Sequence, residues 1–67
     1  MNELDLHSVR HAYVEHMVET FIYENRNNMP VKIITGHSQK MRIIAATVAK
    51  HLGYNVFDEK FTEITIY

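Results

Sequence analysis

Two short stretches of the chain carry residues able to do chemistry. In Leu4-Asp5-Leu6-His7 a carboxylate and an imidazole stand two residues apart, and in an extended chain such residues share a face. His7 can then give or take a proton while Asp5 orients it or holds a cation, which is the equipment of general acid–base cleavage of a phosphodiester. The plainer reading is an Asp5 that caps or ion-pairs on an open sheet face, with His7 hydrogen-bonded into the next turn.

The second stretch is Thr35-Gly36-His37-Ser38, followed by Gln39, Lys40 and Arg42. A helix start exposes backbone N–H groups and the positive end of the macrodipole, so it attracts an anion. Gly36 permits close backbone approach. Lys40 and Arg42 put positive charge where acidic residues are preferred, which implies a compensating anion; an ordinary turn with solvated charges is the alternative. His37 joins Asp5 and His7 as a catalytic candidate if the three converge. Arg10 and His11, at the start of the preceding helix, can widen the positive patch and grip a neighbouring phosphate. His16 and His51 have no partner that the sequence identifies.

Metal binding is weaker. His7 and His11 are four apart, as two ligands on one helix face would be, and Asp5 or His37 could complete a set of three. His7, however, belongs to a strand end, so that spacing does not ensure convergence. No residue is assigned to a metal, and a divalent ion is the one cofactor the residues admit. With no cysteine, disulfides and cysteine-based zinc sites are excluded. No phosphate-binding P-loop, GxGxxG or Ser-His-Asp pattern is present.

The elements that must position these residues read as βαβαββ. Leu4 and Leu6 alternate with Asp5 in a short strand. A helix starting within Ser8–Arg10 and running to about Arg26 buries Val14, Met17, Val18, Phe21 and Ile22 at helical spacing, leaving Glu15, Glu19 and Glu24 in solvent. Tyr13, Tyr23 and Tyr54 are expected at the edge of the core. Pro30 cannot continue a helix, and Val31–Thr35 is β-branched enough for a strand. Ser38 caps a second helix from Gln39 to Leu52, with Met41, Ile44, Ala45, Val48 and Leu52 as its stripe and Gly53 as its stop. Strands near Asn55–Glu59 and Thr62–Tyr67 follow, joined by a tight turn. The expected fold is a two-layer α+β domain: a four-stranded mixed sheet with both helices on one face. Ile34 and Tyr67 break the polarity of the open face and are candidates for a homodimer contact.

The chain has 67 residues, 7 basic and 8 acidic, a formal charge of −1, and 46% hydrophobic residues. This fits one globular domain and argues against holding nucleic acid by bulk charge. Its 5 histidines could carry the net charge from −1 to +4 below the usual imidazole range near pH ~6.5. Domains of this size bury only ~60% of the unfolded surface, so either the layers pack well or a second copy covers apolar surface. Apolar runs are too short for a membrane helix and the start lacks signal-peptide character. A soluble, cytoplasmic protein is expected, with no membrane partner.

Leu4-Asp5-Leu6-His7 at the first strand, joined by a single helix and a strand to Ile33-Ile34-Thr35-Gly36-His37-Ser38, resembles the Smr (small MutS-related) domain, with its LDLHG and its TGxG or HGxG turn. The likeness covers nearly the whole chain. It implies a fold akin to the C-terminal domain of translation initiation factor 3, and a DNA or RNA partner that is nicked, cleaved or only bound. Ser8 and Ser38 replace two of that family's glycines, and the short Asp58-Glu59-Lys60 turn replaces its GGxG connection, departures that bear on catalysis more than on the fold. The leading expectation is a nucleic-acid-binding Smr-like domain with weak or conditional endonuclease activity. The competing one is a small non-catalytic interaction or adaptor domain using its open sheet face.

Overall fold

A computed structural model describes residues 1–67, the side chain of Glu59 excepted. The order of elements is the expected βαβαββ: β1 (Glu3–Asp5), α1 (His11–Glu24), β2 (Val31–Ile34), α2 (Gln39–His51), β3 (Val56–Lys60) and β4 (Glu63–Ile66). The strands lie in the order β1-β2-β4-β3. β1 runs parallel to β2 with Leu4 opposite Ile33; β4 runs antiparallel to both of its neighbours, with Ile64 opposite Ile33 and Thr65 opposite Phe57. Both helices cover one face.

Strand alternation and helical periodicity together build the core. Val31, Ile33, Ile64 and Ile66 come from the sheet, Leu6 from just past β1, Val14, Val18 and Ile22 from α1, and Met41, Ala45, Val48 and Ala49 from α2; all are buried. Met17, Phe21 and Ile44 pack half-buried against them. Tyr54 sits at the edge as expected, whereas Tyr13 and Tyr23 stand in solvent.

Leu52 departs from its expected place in the stripe and is exposed, because α2 stops one residue earlier. Gly53 takes the left-handed conformation at φ 92°, its N–H donates to Lys50 O, and the Tyr54 N–H donates to Ala49 O. This double closure turns the chain and carries Leu52 off the buried face. At the other end of the fold, α1 begins only at His11, since Leu6 O accepts the Val9 N–H at 3.0 Å and spends Leu6–Val9 on a tight turn.

The final hairpin also turns later than the sequence suggests. Asp58 and Lys60 belong to β3, and Phe61-Thr62 forms the tip. Arg42 Nη1 reaches across from α2 to both Asp58 carboxylate oxygens at 2.9 Å, and Lys60 pairs with Glu63 at 3.5 Å. These two contacts fix the strand past the point where its residue types alone favour a turn.

The open face carries a ladder of charge. Lys32 lies between Glu3 (3.9 Å) and Glu63 (3.3 Å) on the flanking strands. Ile34 is half-buried there beside Asp5 and Glu63, while Phe57 and Tyr67 are exposed farther along. No helix of the described residues is long and apolar enough to cross a membrane.

Candidate functional site

The site gathers where β1 and β2 end. Leu6 is fully buried and its N–H donates to Ile34 O at 2.8 Å, which pins the end of β1 to β2. The tight turn that follows lifts His7 out of the sheet on the same side as Asp5. One oxygen of Asp5, Oδ1, then accepts twice: from the His7 backbone N–H at 3.1 Å and from His7 Nδ1 at 2.7 Å. The hydrogen bond from the His7 ring is the main reason that the Asp5 carboxyl lies below its usual range. An ionised carboxylate only accepts, so Nδ1 carries a proton, and in the neutral ring Nε2 is then the lone-pair acceptor. Both side chains are more than half exposed, so water or a substrate can reach Nε2.

Gly36 closes the floor of the site. Its φ is +64°, and a Cβ placed on it would lie 3.2 Å from His7 Cβ, so both conformation and space demand glycine here. Thr62 O accepts the Thr35 N–H at 2.9 Å and the Gly36 N–H at 3.1 Å. Thr35 is buried and its hydroxyl bonds within the same cluster, to Gly36 O and Thr62 O. The donors of Thr35 and the amide of Gly36 are therefore spent on the hairpin, and an anion would have to be met by the start of α2. There Ser38 Oγ accepts the Met41 N–H at 3.1 Å, while the N–H groups of Gln39 and Lys40 precede the first intrahelical bond.

The remaining candidates fall into two groups. His11 Nε2 lies 3.4 Å from Ser38 Oγ, linking the two helix starts beside the dyad. Arg10 stands exposed as the α1 N-cap, and Lys40 is exposed in the first turn of α2; neither is ion-paired among the described residues. Arg42 is committed elsewhere: besides Asp58 it stacks on Phe61, 4.9 Å from the ring centroid. His37 is exposed and approaches Phe61 from 5.7 Å. His16 and His51 line grooves along the helices, away from this end. Among the described residues no three His, Asp or Glu side chains are placed to hold a metal ion.

Residue types and local spacing predicted the Asp5–His7 pair and the Gly36 turn. Phe61, with no periodicity to mark it, was not among the candidates. No family model, curated protein or solved structure matches the chain. What remains is this geometry: an imidazole held by a carboxylate, near helix starts whose Arg10 and Lys40 make no ion pair among the described residues.

Proposed function

We propose that this chain is a nucleic-acid-binding domain of the Smr type, working in the cytoplasm, with weak or conditional phosphodiester-cleaving activity. The observation that carries the reading is the Asp5–His7 dyad, with Nδ1 bonded at 2.7 Å and the His7 side chain more than half exposed. Lys40, Arg10 and the first N–H groups of α2 receive the phosphate. His7 Nε2 removes a proton from the attacking hydroxyl or water, the new P–O bond forms as the bond to the leaving oxygen breaks, and Asp5 stabilises the resulting imidazolium. His37, next to Gly36 in the chain, is the candidate to return a proton to the leaving oxygen.

The test is incubation with nicked, single-stranded and structured DNA and RNA, with added divalent metal or with chelator. Cleavage that disappears in His7→Ala supports the assignment, and cleavage that survives it removes His7 from the mechanism. Binding without cleavage in every condition would reduce the domain to a binding module.

A second reading is favoured by one feature of the open face, where Phe57 and Tyr67 are each about half exposed (51% and 53%). A protein partner or second copy docked there would use them together with Ile34. A solution mass that falls to the monomer in Phe57→Ala and Tyr67→Ala would favour the homodimer.

A further inference from the structure

Phe61 occupies the tip of the β3–β4 hairpin with 61% of its surface exposed. An apolar ring there has no role in the core, yet it is held in place. The Arg42 guanidinium lies over the ring, and Arg42 is itself fixed by Asp58 at 2.9 Å. His37 flanks the ring at a 42° tilt. The hairpin that carries Phe61 is tied to the site by the next residue, since Thr62 O accepts the N–H groups of Thr35 and Gly36.

We infer that Phe61 is a stacking platform for an unpaired nucleobase, which makes single-stranded nucleic acid the preferred ligand; this rests on the nucleic-acid reading above. Three features select that class. The Arg42 contact leaves much of the ring in solvent, and a planar π-face is the surface that stacks best on it. The ring stands beside His37, which adjoins Gly36 and the α2 start, so a base on Phe61 and a phosphate at Lys40 fall on neighbouring parts of one strand. A paired base within a duplex presents its face only to its neighbours in the stack, so the interior of a duplex cannot use the platform without opening.

The experiment measures binding of the intact chain to a labelled single strand carrying 2-aminopurine, and to a duplex of the same sequence. Phe61→Ala is expected to weaken single-strand binding by about tenfold and to abolish the stacking quench of 2-aminopurine, with duplex binding unchanged. Phe61→Tyr retains both, and Phe57→Ala, on the open face, alters neither. A wild-type chain that binds single strands with the quench and affinity intact in Phe61→Ala overturns the platform alone, as does binding confined to duplex. A wild-type chain that binds no nucleic acid overturns the platform together with the reading beneath it.

Discussion

His7 Cβ stands 3.2 Å from the point where a side chain on Gly36 would begin. The dyad at the end of β1 and the turn after β2 are thus in van der Waals contact through the one residue with nothing to displace. Gly36→Ala meets two penalties at once, a left-handed backbone and a crowded Cβ. It is expected to destabilise the domain by about 1–3 kcal/mol, read from urea unfolding, and to shift the His7 ring resonances more than those of His51.

Cleavage should separate the two members of the dyad. His7→Ala removes the proton acceptor and is expected to lower the rate by ~10²–10⁴-fold. Asp5→Asn leaves a side chain that can hydrogen-bond but cannot stabilise an imidazolium, so the loss is smaller. Single-turnover rates on the best substrate check the order, and equal losses would point to structural damage rather than chemistry.

The acid limb of stability follows from Asp5. Its carboxyl lies below the ordinary carboxylate range because the His7 side chain and backbone donate to the charged form. A lowered folded-state value means that its contribution is complete above the unfolded value, near pH ~3.9, and is lost as pH falls through the folded one. Asp5→Asn should therefore cost stability at neutral pH and cost less as pH drops below that range. Urea midpoints of both proteins across this window test it, and a gap that widens on acidification contradicts it.

Lys40 and Arg42, two residues apart on α2, should behave differently toward nucleic acid. Lys40 has no ion-pair partner among the described residues, whereas Arg42 is bound to Asp58. Lys40→Ala is expected to reduce the slope of log affinity against log salt by about 1. Arg42→Ala leaves that slope nearly unchanged and instead loosens the hairpin, visible as faster amide exchange around Asp58.

Leu6 separates the catalytic candidates in sequence and anchors them in space. It is fully buried, so Leu6→Ala is expected to cost about 2–5 kcal/mol. That is a large share of the stability of so small a domain, and Ile33→Ala, on the paired strand, should match it. Thermal unfolding of the two variants provides the comparison.

Most of this arrangement was legible because it is local. Asp5 and His7 share a side through strand alternation, Gly36 announces its turn, and Ser38 its cap. What was hidden depends on contacts far apart in the chain. The hairpin tip lies at Phe61-Thr62 rather than around Glu59 because Arg42 holds Asp58 from another element. Thr35 and Gly36 belong to a stretch suited to an anion, and only the return of Thr62 beside them shows that their amides are spent. Leu52 fits the helical period, yet the chain turns at Gly53 before the period can be completed.

The place of β4 has a consequence for how the molecule comes into being. It is the last strand in sequence but an inner strand of the sheet, between β2 and β3. During synthesis β2 keeps a bare edge until residues 63–66 emerge and insert, and the amides of Thr35 and Gly36 wait for Thr62 over the same interval. The turn beneath the dyad is thus completed only by contacts with a segment far later in the chain.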